Sequence, residues 1–230
     1  MSPSRVWTII VAGGSGSRFG ARKQLEWLLD RRVIDWSYLV AKSVSDVVVT
    51  VRPSSDPASY PGDLVAIGGA TRSASVRSGL EAVAKMGAEP QDLVLVHDAA
   101  RPLATRELFL GVIDALNSVA VSVLPTIEVA ESLKLVDGLQ VVGSIDRTGF
   151  HTAQTPQGFN FETIALAHAK CQDATDDVAL VEALGLETRR IEGDPRNFKL
   201  THRFDLRFAE LILLDRKASD GDKSGGQNGP

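Results

Sequence analysis

Arg18 and Lys23 stand five positions apart, just after Gly13, Gly14 and Gly16. Glycines let a backbone come close to a ligand and turn its N–H groups toward it. An amide-lined loop with two fixed cations suits a triphosphate; a tight turn carrying two solvated charges is the plain alternative. Two better-known glycine motifs are excluded. The dinucleotide fingerprint G-x-G-x-x-G fails because Phe19 stands where its third glycine belongs. The triphosphate loop G-x-x-x-x-G-K-[ST] fails because no lysine followed by Ser or Thr ends the run. What remains, G-x-G-x-R with Lys23 beyond, suits a nucleotidyltransferase better than a dehydrogenase or an ATPase.

A second constellation is VHDAARP, Val96 to Pro102. Asp98 could hold a metal ion that bridges phosphates, and Arg101 could grip an anion with its planar fork. Ala99 and Ala100 between them permit close approach of a sugar or base. The competing reading is an Asp98–Arg101 ion pair that tidies a strand end. In GGATRSASVRSG, Gly68 to Gly79, backbone amides and the Ser75 hydroxyl could read polar edges of a base. For Ser75 alone, ordinary helix capping by Thr71 or Ser73 is the better account. Phe150 to Phe159 offers a tight hydrogen-bonded loop and no reactive group. Lys199, in GDPRNFKLT, reads locally as a solvated lysine. The four histidines are scattered, no H-E-x-x-H or paired-cysteine pattern occurs, and no G-x-S-x-G elbow is present.

These groups need a frame. Apolar strand candidates run Val6 to Ala12, Asp46 to Val51, Leu64 to Ile67, Asp92 to His97 and Ala120 to Leu124. Helix patterns lie between them at Thr71 to Met86 and Thr105 to Asn117, the second with Thr105 as cap. The alternation predicts an α/β fold: a mostly parallel sheet with helices on both faces and a ligand crevice at the carboxyl ends of the strands. Pro125 to Asp146 breaks the rhythm and reads as a protruding β-arm with a turn at Asp137–Gly138. Such an arm is too thin to carry its own core and should pack on a second subunit. Thr175, Asp176 and Asp177 read as a helix cap with first-turn acids. Phe204, Phe208, Leu211 and Ile212 read as the inner face of a last helix. From about Lys217 the composition predicts a disordered tail, so the domain is expected over 1–216 and the tail over 217–230.

The 230 residues carry a net charge of −4, which argues against a broad nucleic-acid footprint. Cys171 is the single cysteine, so no internal disulfide framework exists. No apolar run reaches a membrane span, and glycines interrupt the first apolar run too early for a signal peptide. A cytoplasmic protein without membrane or nucleic-acid partners is the expectation.

Taken together, the pieces resemble the 2-C-methyl-D-erythritol 4-phosphate cytidylyltransferase family of isoprenoid-precursor synthesis. The matching pieces are AGGSGSR, RKQ, GGxxRxxSV, VHDAARP, the Asp146–Arg147 pair, QTPQGF, TDD and GDPRNFKLT, in the family's order to about Ala209. Ribitol-5-phosphate cytidylyltransferase shares most of them, and a catalytically silent nucleotide-binding regulator is the reading from another class. The resemblance implies a Rossmann-like nucleotidyltransferase sheet, CTP and a polyol phosphate as substrates, Mg²⁺ or another divalent cation, and a homodimer joined through the arm. It implies catalytic roles for Arg18, Lys23 and Lys199. Ala12, Gly13, Gly14, Gly16, Ser17, Gly69, Ser75 and Ala99 would bind the nucleotide. Asp98, Arg101, Ser132, Arg147 and Thr175 would bind the acceptor, with Asp98 also at the metal. Two departures bear on this. Ala70 stands where the family commonly carries an acid near the base, and Ser132 where the arm usually has threonine. The Ala99–Ala100 and Asp146–Arg147 matches favour methylerythritol phosphate over ribitol phosphate as acceptor.

Overall fold

Val6–Val11 (β1) is apolar on both sides because it lies at the centre of the sheet, buried beneath helices on either face. Trp7 and Ile9 point to one face and Thr8 and Ile10 to the other, the period of two that a pleated strand imposes. The structure, a computed structural model, describes residues 4–13, 19–20, 22–118, 120–171 and 174–224, with side chains described through 219. After β1 comes a small ribbon of Trp27–Leu28 (β2) and Arg31–Arg32 (β3), followed by Val33–Lys42 (α1). Then follow Val47–Arg52 (β4), Leu64–Ile67 (β5), Arg72–Lys85 (α2), Leu93–Asp98 (β6) and Arg106–Ser118 (α3). The second half holds Ser122–Glu128 (β7), Leu133–Asp137 (β8), Gln140–Ile145 (β9), His151–Ala153 (β10) and Gln157–Asn160 (β11). Phe161–Lys170 (α4), Asp177–Glu182 (α5), Arg189–Glu192 (β12) and Asp205–Ser224 (α6) complete the chain.

The main sheet has the order β10-β7-β11-β6-β1-β4-β5, with β12 paired to β7. The strands β6, β1, β4 and β5 are parallel; β11 is antiparallel to both its neighbours. Helices α2, α4 and α5 cover the face of Trp7 and Ile9, while α1 and α3 cover the face of Ile10 and Leu95. The predicted α/β fold with helices on both faces is therefore the one observed. Gly79 lets α2 lie directly on β1: a β-carbon there would sit 2.6 Å from Ile9 Cγ2. The chain leaves β1 toward β4 and β5, then returns through α2 to place β6 on the other side of β1. That reversal opens a crevice beyond the carboxyl ends of β1 and β6.

Four expectations need correction. The arm begins later than residue 125, because Pro125 to Glu128 belong to β7 and pair with β12 and β10 in the main sheet. The projecting part is the β8–β9 hairpin, turned at Gly138 and Leu139 with Gly138 at φ +56°. Asp176, not Thr175, caps α5: its carboxylate accepts from Ala179 N at 3.0 Å. In α6 the inner stripe is Leu206, Ala209, Ile212 and Leu213, packed on Leu28, Val33, Leu103 and Leu200. Phe204, Phe208 and Leu211 are exposed. The phase is set by Asp205, whose carboxylate accepts from the amides of Thr201 and His202 and so starts the helix one residue after Phe204. Finally, α6 runs on through Ser224 rather than ending near Lys217, which binds Asp30 at 3.2 Å and lies over Trp36. Residues 225–230 lie outside the described residues.

Candidate active site

The crevice at the β1/β6 reversal holds a cavity of about 390 Å³. Three chain segments wall it. Ala12 and Gly13 leave the end of β1, Gly69 to Ser75 lead into α2, and Asp98 to Ala100 leave the end of β6. Lys23, Lys199 and Thr201 close the remaining side. The apolar runs of β1 and β6 pin these ends rigidly. Ala12 N donates to Val51 O at 2.9 Å and Ala99 N to Val11 O at 3.0 Å, so the strand-end loops continue the ladder. Buried Gln24 donates to Ala12 O at 3.0 Å and braces the first loop from outside. The helix start is packed against the glycines. A β-carbon at Gly68 would lie 2.7 Å from Ser75 Oγ, and one at Gly69 2.5 Å from Ala74 Cβ, so only glycine fits.

The floor of the cavity is charged. Asp98 is buried, and its carboxylate accepts from Lys199 Nζ at 2.6 Å and from Arg72 Nε at 3.3 Å. Arg72 reaches on to Asp177 at 2.7 Å, and the other Asp177 oxygen meets His168 Nε2 at 2.9 Å. Asp177 is fully buried and its amide donates to Gln157 Oε1 at 3.2 Å. Burial opposes the Asp98 charge, but Arg72 and Lys199 outweigh it and hold the carboxyl well below the usual range. Burial likewise opposes the Arg72 charge; Asp177 and Asp98 outweigh it and raise its pKa. Two carboxylates and two cations thus make a hydrogen-bonded chain, Lys199–Asp98–Arg72–Asp177.

Of the residues expected from sequence, Ala12, Gly13, Lys23, Gly69, Ser75, Asp98, Ala99 and Lys199 all border this cavity. Lys23 Nζ donates to Leu200 O at 2.6 Å on the wall facing Asp98. Gly14, Gly16, Ser17 and Arg18 lie outside the described residues. Ser75 spends its hydroxyl proton on Thr71 O at 2.9 Å, and Thr71 is the helix cap, as the capping account has it. The Asp98–Arg101 ion pair does not form. Arg101 turns away and donates to Asn197 O at 2.7 Å and Ala153 O at 3.1 Å, its Nε buried without a partner. Ser132 and Thr175 are exposed, and Arg147 donates to the carbonyls of Val129 and Ala130 at the base of the arm. These last three do not border the cavity within a single chain.

Sequence reading missed Arg72 and Asp177 as site residues. Arg72 sits inside a motif quoted for its glycines and serine, and its charge was the available signal. Asp177 gave none, since a first-turn acid is usually solvated. Lys199, read as solvated, is bound to Asp98. No cluster of three metal-binding side chains occurs among the described residues. Asp98 is the one carboxylate bordering the cavity among them. Mg²⁺ is commonly held by one or two carboxylates plus substrate phosphates, so a lone Asp98 fits that use.

Comparison with known proteins gives a consistent result. The profile of the family described as 2-C-methyl-D-erythritol 4-phosphate cytidylyltransferase matches residues 6–215. The protein of that name from Dechloromonas aromatica is 38% identical over 228 residues, covering 93% of this chain and 99% of that one. The one from Cereibacter sphaeroides is 39% identical over 219 residues, with 89% and 95% covered. The crystal structure of the Thermus thermophilus enzyme superposes with a TM-score of 0.77 at 31% identity, over 89% of this chain and 97% of that one.

Proposed function

The chain belongs to the 2-C-methyl-D-erythritol 4-phosphate cytidylyltransferase family, enzymes of isoprenoid-precursor synthesis, and we propose that it joins CTP to that polyol phosphate in the β1/β6 cavity. The observation that carries the reading is the placement of Lys23, Arg72 and Lys199 around one cavity whose walls are backbone amides of two glycine segments. An oxygen of the acceptor phosphate attacks the α-phosphorus of CTP. A new P–O bond forms, the bond to the β-phosphate breaks, and pyrophosphate leaves with the electron pair.

The acceptor phosphate needs no general base, because its second pKa is about 6. The barrier is charge: two anions meet and a third departs. Lys23 and Arg18 would balance the charge that builds on the triphosphate, with the amides of Gly13, Gly14, Gly16 and Ser17 around it. Gly69 and Ser75 would face the base, and Ala12 and Ala99 the sugar. Lys199 would leave Asp98 for the acceptor phosphate. Arg72 would stay bonded to Asp98, braced by Asp177, so Asp98 is not left a lone buried charge. Mg²⁺ held at Asp98 would neutralise triphosphate oxygens. Arg101, Ser132, Arg147 and Thr175 would serve the acceptor, with Ser132 and Arg147 supplied from the arm of a second subunit in a homodimer. No helix among the described residues is long and apolar enough to cross a membrane; a cytoplasmic location fits the substrates.

Pyrophosphate release tests the reading. With CTP, kcat/KM should be high for 2-C-methyl-D-erythritol 4-phosphate and low for ribitol 5-phosphate. It should fall about tenfold per unit below pH ~6, where the acceptor phosphate takes up a proton. No second inflexion should appear between pH 6 and 8, because Asp98 is held far below that window and Arg72 far above it. Turnover with ribitol 5-phosphate alone, or an added enzyme ionisation near pH 7, would overturn the assignment or the absence of a base.

A further inference from the structure

His97 lies at the end of β6, fully buried, with its ring 5.1 Å from that of Phe109. Both its nitrogens are engaged. Nε2 is 3.2 Å from Arg101 O, and Nδ1 is 3.0 Å from Thr155 Oγ1. Thr155 Oγ1 also accepts from Asp98 N at 3.1 Å. The direction of every bond follows from the chemistry of its partners. A carbonyl only accepts, so Nε2 carries the proton. The ring is fully buried and its nitrogens meet a carbonyl and a hydroxyl rather than a carboxylate, so it is neutral and Nδ1 is a bare acceptor. Thr155 therefore donates its hydroxyl proton to Nδ1 and receives the Asp98 amide on its oxygen.

We propose that His97 is a positioning residue for the transfer: its two ring nitrogens hold the two ends of the 98–101 turn, one directly through the Arg101 carbonyl and one through Thr155, and so fix where Asp98 stands. The turn itself closes with Arg101 N on Asp98 O at 3.0 Å. A second tie binds the same assembly to the Lys199 segment. Asn197 Nδ2 donates to Thr155 O at 2.9 Å, and Leu200 N to Ala100 O at 2.9 Å. The bracket thus sets the Asp98–Lys199 pair from behind, out of reach of solvent and substrate. It also gives a purpose to two motif residues, His97 and Thr155, that have no chemistry of their own. A proton-shuttle role is excluded by the same geometry, since neither nitrogen faces the cavity.

This rests on the functional reading above, and two arms keep the two apart. The first needs no turnover: ¹⁵N-histidine spectra of the wild-type protein should show His97 as the neutral Nε2–H tautomer, and an Nδ1–H tautomer would overturn the bracket. The second is kinetic. His97→Leu fills similar volume but binds neither end. It should lower kcat about tenfold to a hundredfold, as small misplacements near a reacting centre do, and leave the CTP Kd measured by calorimetry unchanged. His97→Asn places an amide oxygen near the Nδ1 position, keeps the Thr155 link and should recover part of the loss. Thr155→Val should mimic His97→Leu, and the double variant should be no slower than the worse single, because the two act as one unit. Wild-type kcat in His97→Leu, or losses that multiply in the double variant, would overturn the proposal. Should His97→Leu fail to fold, His97→Asn and Thr155→Val decide: a natively folded His97→Asn as slow as Thr155→Val counts against it.

Discussion

The floor of the cavity and the β8–β9 arm are built on opposite terms. In the floor, Asp98, Arg72, Asp177 and Lys199 bond one another over long sequence distances; the first three sit on strand and helix ends, and Lys199 reaches in from the segment between β12 and α6. In the arm, Leu135, Val136, Leu139, Val141 and Val142 are all exposed, and the hairpin pairs only with itself. One region is finished within a single chain. The other spends apolar side chains on solvent, and a two-stranded hairpin alone is marginal in water. The difference teaches where one chain suffices: it can preorganise charge in the cavity, while the arm keeps its apolar side chains open to solvent.

The largest effect should come from breaking the floor and its opposite wall. Lys199→Ala and Lys23→Ala each remove a cation at the cavity. By analogy with deleted oxyanion-hole donors, each should cost about 3–4 kcal/mol, a hundred- to a thousandfold in kcat. Melting temperatures should stay close to wild type for Lys199→Ala, since that side chain is substantially exposed. Pyrophosphate release and thermal melts check both halves. Near-wild-type kcat in both variants would mean that the cavity is not where transfer occurs.

Cutting away the arm is expected to do less to the nucleotide and more to the acceptor. Bridging Ala130 to Asp146 with glycines leaves β7, β10 and the cavity intact. The shortened chain should sediment as a monomer, bind CTP as before, and show an acceptor KM raised about tenfold or more, the worth of one or two charge-assisted hydrogen bonds. A dimer that survives the cut, or a monomer with unchanged acceptor KM, would erase the contrast between the two regions.

The two regions were also unequally legible in the sequence. Buried parallel strands read as plain apolar runs, so β1, β4 and β6 were visible, as was β5, an apolar but largely exposed edge strand, together with the loops that follow them. Asp98 and Gly69 came with them. The arm was visible as a break in rhythm, but its base was not. Pro125 to Glu128 reads as the start of a hairpin, and only pairing with β12 and β10, both further along the chain, makes it part of the main sheet. Pairings across such distances leave no local mark. Arg72 and Asp177 are 105 residues apart in sequence, and each alone looks like a solvated helix residue. In α6 the sequence offered more apolar residues than one face can bury. Phe204, Phe208 and Leu211 outvoted Ala209 and Leu213 on hydrophobicity, yet the cap at Asp205 and the shape of the Leu28–Leu200 surface chose the smaller stripe.

The smallest effect sharpens the comparison from inside the finished region. Ala70 borders the cavity beside Gly69. A carboxylate there could accept the exocyclic amine of cytosine and would repel the carbonyl oxygen that uracil presents instead. With alanine, the selection falls, among the described residues beside Gly69, to backbone amides and Ser75, and the Ser75 proton is already committed to Thr71 O. The floor is therefore preorganised for phosphate more strictly than for base. CTP should be preferred over UTP, but by a narrow margin. Ala70→Asp should widen the CTP/UTP ratio of kcat/KM about fivefold, near 1 kcal/mol, below the usual range for a hydrogen bond to a charged group because the position is exposed. The ratio is the proper readout, since a new negative charge near the triphosphate should slow both nucleotides alike. An unchanged ratio would show that base selection lies wholly in the backbone amides.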